Sequence, residues 1–136
     1  MNITFVCKHN VFRSRIAEAY FKQINKNPKL KVSSGGLFSG GKNSPNQIIA
    51  MRKEKVSPIS QPKNLTIPFL KKQNLIIIVA SDIPMKVFNN KDYLLHEVIQ
   101  WKITDVLDNN LENCYKTIHI IKKKVEKLVK NLEKVK

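Results

Sequence analysis

Residues 2 to 24 read NITFVCKHNVFRSRIAEAYFKQI and contain two different hydrophobic patterns joined by a short loop. Residues 2 to 6 form a β-branched and aromatic run, which predicts a buried strand that ends at Cys7. From Arg13 onward apolar residues recur at helical spacing, and the segment from Asn25 to Pro28 ends the predicted helix. The chain therefore passes from a strand through a short loop into a helix.

Strands and helices continue to alternate beyond this stretch. The predicted elements are strand Leu30 to Ser34, a helix opened by Ser44 and Pro45 that runs toward Glu54, strand Leu75 to Ala80, a weak helix or turn from Pro84 to Asn90, strand Glu97 to Trp101, a loop from Thr104 to Asn110, and a long amphipathic helix from Leu111 onward. After the helix that ends near Glu54, Pro58, Pro62 and Pro68 predict a long, broken connection. Gly35, Gly36, Gly40 and Gly41 predict a mobile loop around Leu37 and Phe38. The alternation favours an α/β protein with a parallel sheet, in which ligands bind at the carboxyl ends of the strands.

Length and composition set further limits. A chain of 136 residues has the common size of one domain, so we expect a single domain over residues 1–136. Its longest apolar run, Leu75 to Ala80, is far short of the ~20 residues of a membrane-spanning helix. The N-terminus has no signal-peptide pattern, and two cysteines are too few for a disulfide framework. We therefore predict a cytoplasmic protein with free thiols and no membrane partner.

The net charge of +15 comes from 25 Lys and Arg against 10 Asp and Glu, and it attracts anions such as phosphates, nucleic acids and acidic protein surfaces. Only Arg13, Arg15 and Arg52 are arginines, so a retained Arg13 suggests a need for a planar fork that Lys cannot supply. Residues 116 to 136 hold eight Lys and two Glu. This basic segment is either the solvated face of a helix or a docking surface for nucleic acid or an acidic partner.

The segment from Cys7 to Ser14 carries the residues suited to chemistry. Its backbone N–H groups can wrap inward, and the helix N-terminus adds a partial positive charge. Arg13 can grip two oxygens of a tetrahedral anion, and a hydrogen bond from Ser14 would stabilise a thiolate at Cys7. Such a thiolate is a nucleophile directed at phosphorus, although Cys7 could also be a small residue that merely closes a strand. The predicted phosphate-binding loop consists of Lys8, His9, Asn10, Val11, Phe12, Arg13 and Ser14.

These residues also carry a family resemblance. VCKHNVFRSRIAEAYF resembles the phosphate-binding loop and first helix of the low-molecular-weight protein tyrosine phosphatase and arsenate reductase superfamily. The pattern V-C-x-x-N-x-x-R-S-x-x-A-E is matched by Val6, Cys7, Asn10, Arg13, Ser14, Ala17 and Glu18. Weaker similarity continues through VSSGG at 32 to 36, LIIIVA at 75 to 80 and WKITD at 101 to 105. The resemblance implies a three-layer αβα fold with a four-stranded parallel sheet in the order 2-1-3-4.

The resemblance also implies roles for individual residues. Cys7 would attack phosphorus to form a cysteinyl-phosphate, Arg13 would bind equatorial oxygens, and Asn10 and Ser14 would hold the loop and the thiolate. Asp105 matches the family's general acid, which protonates the leaving group and then activates water. From the residues alone, Asp105 could instead cap a loop, and Asp108 competes with it for the role. The implied activity is a cofactor-independent hydrolase of phosphate monoesters, with protein phosphotyrosine as one candidate substrate.

Several departures from the family pattern leave the reaction open. Val106 replaces the Pro that usually follows the acid. Leu107 and Asp108 stand where phosphatases often carry a tyrosine pair, so a preference for phosphotyrosine is unsupported. His9, which is Gly in most of these phosphatases, and the Trp before the acid look closer to the arsenate reductase branch. Arsenate reduction with an external thiol is therefore the alternative within the same fold.

A thiol relay within the chain is disfavoured. Reductases linked to thioredoxin carry a cysteine pair after the third strand, whereas residues 80 to 84 contain no cysteine. Only Cys114 remains as a resolving thiol, and a lone cysteine on a helix more often serves packing. His96 and His119 lack ligands at zinc-like spacing, so we predict no metal site. A non-catalytic module that binds anions or nucleic acid through the same loop is the alternative of a different class, and the oligomeric state stays open.

Overall fold

Strands and helices alternate in the computed structural model, which describes residues 1–58, 60–88, 97–104 and 110–133. The strands are β1 (Asn2–Cys7), β2 (Lys31–Gly36), β3 (Leu75–Val79) and β4 (Glu97–Trp101). The helices are α1 (Arg13–Ile24), α2 (Pro45–Lys53), α3 (Ile67–Lys71) and α4 (Leu111–Glu133), and a 3₁₀ turn covers Met85–Phe88. Each strand and helix predicted from the sequence is present, and α3 is an addition.

The strands form one parallel sheet in the order β2-β1-β3-β4, as predicted. The central strand β1 pairs with β2 and β3, so that Val6 lies opposite both Gly35 and Ile78. All five residues of β3 are buried because helices cover both faces of the sheet. This explains why LIIIV is continuously apolar rather than alternating.

Two apolar clusters make up the layers on either side of the sheet. The larger cluster joins Phe5 and Ile77 of the sheet to apolar side chains of α1, α2 and α4. The smaller one joins Val6 and Ile78 to Leu70 of α3 and to Phe88. The αβα architecture follows from the alternation of side chains along the strands, which sends successive apolar residues to opposite faces.

The glycine-rich stretch differs from its prediction. Gly35 and Gly36 are not part of a mobile loop, because both belong to β2 and pair with Val6 and Cys7. A Cβ atom at Gly36 would lie 2.9 Å from the backbone nitrogen of Asn10, so only glycine allows this strand to pass so close to the loop after β1. The predicted strand therefore extends to Gly36 instead of ending at Ser34.

The helix starts follow local rules. Ser44 is the N-cap of α2, as predicted, and accepts a hydrogen bond from the backbone of Gln47. The Gln47 side chain accepts one from the backbone of Ser44, so the two residues form a capping box. Helix α3 lies in the segment where prolines predicted only a broken connection. Its N-cap is Thr66, and Pro68 occupies the first turn, where a missing N–H costs nothing.

Candidate active site

The carboxyl end of β1 opens into a cleft of about 260 Å³. The cleft is lined by both Cys7, the last residue of β1, and Arg13, the first residue of α1. Gly41 and Lys42, from the segment before α2, also line the cleft. The loop after β1 thus brings the predicted thiol and guanidinium to one place, at the sheet edge where parallel α/β proteins bind ligands.

Two hydrogen-bond partners contact the sulfur of Cys7, a residue that is 3% exposed. The Ser14 Oγ lies 2.9 Å from the Cys7 Sγ, and the backbone N–H of Asn10 donates to the same sulfur at 3.3 Å. Donors directed at sulfur stabilise its anionic form. A buried thiol with this environment is therefore suited to act as a nucleophile and is more than a strand terminus.

Asn10 has the unusual backbone of the loop, with φ +55°. Its side-chain Nδ2 donates to the Ser14 Oγ at 2.7 Å and to the Ser34 Oγ at 2.9 Å. Its Oδ1 accepts from the backbone N–H of Lys63 at 3.1 Å. Asn tolerates the left-handed region better than most residues, and the three side-chain bonds hold it there.

The Arg13 side chain is buried and anchored from outside the loop. Its Nη1 donates to the carbonyl oxygen of Ile103 at 2.8 Å and to the Asp82 carboxylate at 3.2 Å. These contacts fix the plane of the guanidinium at the cleft. Sequence reasoning missed Asp82, whose signal was an acidic residue directly after the third predicted strand, at the same sheet edge as Cys7.

A second polar cluster lies behind the loop, around Glu18. The Glu18 carboxylate accepts hydrogen bonds from Ser34 Oγ at 2.5 Å, from Ser60 Oγ at 3.0 Å and from Lys22 Nζ at 2.6 Å. Burial is the largest influence and by itself would raise the pKa of Glu18. The hydrogen bonds from Lys22, Ser34 and Ser60 and the charge of Lys22 outweigh it and hold that pKa below its ordinary value.

The remaining loop residues have differing surroundings. Lys8 and His9 are exposed, whereas Phe12 is buried in the larger apolar cluster. The His9 Nδ1 lies 2.9 Å from the carbonyl oxygen of Phe38. The Phe38 N–H in turn donates to the Lys8 carbonyl at 2.9 Å, so hydrogen bonds connect the glycine-rich segment to the loop after β1.

The sequence also named five further candidate residues, which are Asp105, Asp108, His96, Cys114 and His119. The two candidate acids, Asp105 and Asp108, and His96 lie outside the described residues. Cys114 is fully buried in the larger apolar cluster, while Cys7 belongs to the smaller one. His119 contacts the Glu54 carboxylate.

Among the described residues, no three His, Cys, Asp or Glu side chains gather as metal ligands would, and no helix is both long and apolar enough to cross a membrane.

The sheet order, the loop between β1 and α1, and the paired thiol and guanidinium define a class of α/β proteins with a cysteine-containing phosphate loop. The family model of low molecular weight phosphotyrosine protein phosphatase matches residues 2–136. The chain belongs to this family, as the resemblance predicted.

Individual relatives within this class act on different substrates. The chain is 30% identical over 120 residues, 79% of each protein, to a protein-arginine-phosphatase of Bacillus subtilis. A low molecular weight protein tyrosine phosphatase of T. tengcongensis has the same fold, with a TM-score of 0.82 at 22% identity, covering 97% of this chain and 99% of that one. An arsenate reductase of Archaeoglobus fulgidus is also similar, with a TM-score of 0.71 at 20% identity, covering 93% and 98%.

Proposed function

We propose that this protein is a phosphatase that hydrolyses phosphate monoesters through a cysteinyl-phosphate intermediate on Cys7. The single observation that carries the proposal is that Cys7 and Arg13 line one cleft while Ser14 and the Asn10 backbone contact the sulfur. Membership in the phosphatase family supports the same reaction. No cofactor is required, because nucleophile and anion-binding groups are all supplied by the chain.

In the first step, the Cys7 Sγ forms a bond to phosphorus as the bond from phosphorus to the leaving oxygen breaks. Negative charge spreads over the equatorial oxygens, where the Arg13 guanidinium stabilises it more in the transition state than in the bound substrate. The contacts of Arg13 with Asp82 and Ile103 hold the guanidinium in place beforehand, which lowers the cost of orienting it during the reaction.

In the second step, water attacks phosphorus, the sulfur leaves as a thiolate, and inorganic phosphate is released. A general acid must protonate the leaving oxygen in the first step, and the same group can take a proton from water in the second. We assign this role to Asp105 from its match to the family's acid. Asp108 is the competing candidate.

The substrate class comes from the relatives and from the cleft. The relatives' names include phosphotyrosine and phosphoarginine phosphatases, so phosphorylated protein side chains are the proposed substrates. Phosphoarginine, a phosphoramidate and not a monoester, is included because the Bacillus subtilis relative is 30% identical over most of both chains. With this substrate the bond from phosphorus to a guanidine nitrogen breaks in the first step, and the general acid protonates that nitrogen. Beside the nucleophile the cleft offers the apolar Val11 and the basic Lys42.

The deciding experiment is hydrolysis of p-nitrophenyl phosphate by the wild type and by Cys7→Ser. We expect turnover by the wild type and none by the variant, because serine is a far weaker nucleophile than a thiolate. Cys114→Ala is the matched control, since that thiol is buried in the other apolar cluster, and it should retain activity. Turnover by Cys7→Ser at the rate of the wild type would exclude the mechanism.

Substrate choice requires a second set of assays on the same preparation. A phosphotyrosine peptide, a phosphoarginine peptide and thiol-dependent arsenate reduction are compared at equal enzyme concentration. Release of phosphate from either peptide supports a protein phosphatase. Arsenate reduction without ester hydrolysis would reassign the chain to the reductase branch of its fold.

A further inference from the structure

Glu18 is a buried charge that the proposed reaction does not use. It is 4% exposed and lies on α1, one turn beyond Ser14. Its carboxylate is ionised and can only accept hydrogen bonds, so the Ser34 hydroxyl must be the donor in the 2.5 Å contact between them. Since a serine hydroxyl has a single proton, Ser34 can then only accept from other neighbours.

Because Ser34 donates to Glu18, it also limits how the Asn10 amide can be oriented. Because Ser34 must accept, the group of Asn10 that lies 2.9 Å from it has to be the amide nitrogen and not the amide oxygen. The other end of the same amide leads to the same orientation, since the Lys63 backbone N–H can only donate and therefore faces the Asn10 oxygen at 3.1 Å. Both neighbours favour the same orientation of the Asn10 amide. The contact with Ser34 is buried, whereas the contact with the Lys63 backbone is only partly buried and restrains the amide less.

The orientation of Asn10 decides the direction of the bond at sulfur. The second Nδ2 proton of Asn10 goes to the Ser14 Oγ at 2.7 Å, so Ser14 accepts from Asn10 and keeps its own proton for another partner. That partner is the Cys7 sulfur at 2.9 Å, a contact in which the distance alone does not say which atom donates. A chain of donors therefore points from the Asn10 amide toward the nucleophile.

We propose that Glu18 is a positioning residue for Cys7: through Ser34 it holds the Asn10 amide in the orientation that makes Ser14 donate its proton to the sulfur. This inference rests on the proposed function in taking Cys7 as the nucleophile. Glu18 itself touches neither sulfur nor substrate.

Burial makes the orientation of these hydrogen bonds important for Cys7. Asn10, Ser14 and Ser34 are each 0% exposed, so water cannot replace a lost partner, and an unmatched donor there is costly. The outer side of Glu18 is different, because Lys22 is half-exposed and Arg15, whose charge interacts with Glu18, is only partly buried. The effect on Cys7 therefore depends on the inner bond to Ser34 and not on the outer ion pair with Lys22.

The test is the pH dependence of Cys7 alkylation by iodoacetamide, in which the thiolate displaces iodide and forms a carbon–sulfur bond. In Glu18→Gln the amide of the new side chain can present either a donor or an acceptor to Ser34. The Asn10 amide then keeps only the partly buried bond from the Lys63 backbone to fix its orientation. We expect the pH–rate profile to move to higher pH, with alkylation about three- to tenfold slower than in the wild type at the lower pH values of the series. At high pH the rates converge.

Lys22→Gln is the matched control, because it removes the cation that pairs with Glu18 but leaves the Ser34 bond intact. Its alkylation profile should superimpose on that of the wild type. If the charge of Glu18 acted on the sulfur directly, Glu18→Gln would shift the alkylation profile to lower pH. Removing a negative charge near sulfur favours the thiolate. A shift to lower pH, or none, would overturn the proposal.

A double variant tests whether Ser34 carries the effect. Ser34→Ala breaks the link between Glu18 and Asn10, so it should move the profile in the same direction as Glu18→Gln, and combining the two should add little. An additional, equal shift in the double variant would mean that Glu18 acts by another route. Urea unfolding checks that each variant is folded. If Glu18→Gln does not fold, an unchanged profile in Ser34→Ala alone refutes the proposal.

Hydrolysis of p-nitrophenyl phosphate provides the second readout. Glu18→Gln should lower kcat at neutral pH with little change in KM, because the substrate contacts remain, and raising the pH should recover part of the loss. Absence of hydrolysis by the wild type would defeat the proposed function. The alkylation profiles would still decide the role of Glu18, because they require only the Cys7 thiol.

Discussion

The loop around Cys7 and the helix α4 both combine buried and charged residues, but they do so in different ways. In the loop, polar side chains such as Asn10, Ser14 and Arg13 are themselves buried and bonded to defined partners. In α4, the buried positions are mostly apolar, and Lys123, Lys124 and Lys127 face solvent. Directed hydrogen bonds between buried polar groups therefore determine the conformation of the loop. The periodic spacing of apolar residues determines which face of α4 packs against the core.

This difference predicts where substitutions matter. A buried polar group that loses its partner costs free energy and geometry, while an exposed lysine that is replaced costs little. Function should thus be sensitive in the loop and tolerant in α4, even though α4 carries six of the 25 Lys and Arg residues. The following predictions test this contrast.

The largest effect is expected for Arg13→Lys. Lysine retains the charge but cannot reproduce the planar fork that Ile103 and Asp82 hold at the cleft. We expect kcat/KM for p-nitrophenyl phosphate to fall by about 10²–10³-fold. Arg52→Lys, on an exposed position of α2, is the control and should hydrolyse the substrate like the wild type. Equal activity of the two variants would remove Arg13 from the mechanism.

The neighbouring glycines of β2 give the second contrast. A Cβ at Gly36 would meet the backbone of His9 and Asn10 at 2.9 Å, so Gly36→Ala must displace the phosphate loop. A Cβ at Gly35 meets the Leu65 side chain at 2.5 Å, and a side chain can rotate away. We expect Gly36→Ala to lower activity at least about tenfold and stability by about 1–3 kcal/mol, as overpacking does. Gly35→Ala should retain most of the activity.

The loss of stability in acid gives a third contrast, between the buried Glu18 and the exposed Glu112. The pKa of Glu18 is lowered in the folded state from the ordinary 4.5, so its stabilisation is complete above that value and is lost as the pH falls through the folded pKa. Urea unfolding at a series of pH values should show a larger acid-induced loss for the wild type than for Glu18→Gln. The exposed pair of Glu112 and Lys116 provides the control, and Glu112→Gln should leave the loss unchanged.

The smallest effect is expected on α4. The triple variant of Lys123, Lys124 and Lys127 to Gln should keep its phosphatase activity, with stability within about 0.5 kcal/mol per substitution of the wild type. Binding to a polynucleotide at low salt, measured by fluorescence anisotropy, separates the two interpretations of this face. Strong binding that weakens steeply with salt in the wild type and disappears in the triple variant would establish a docking surface. Weak binding that is the same in both would leave a solvated helix face.

Much of this architecture could be predicted because its signals are local. The run before Cys7, the buried strand LIIIV and the apolar spacing of α4 each match the period of one type of element. The predictions from the sequence were wrong where contact with another segment of the chain determines the local structure. Gly35 and Gly36 resemble loop residues until the loop after β1 is packed against them, and Pro68 resembles a breaker until Thr66 caps a short helix around it.

The amino-acid pattern was enough to place a thiol at the end of a strand and an arginine at the start of the following helix, because the strand and helix periods meet at that loop. The surroundings of these two side chains depend on how the chain folds in three dimensions. Asp82, Ile103, Lys63 and Ser34 reach the loop from four separate segments, and no local pattern encodes such approaches. A hydrogen bond depends on distance and direction in space, and these exist only once the sheet has brought the carboxyl ends of its strands together.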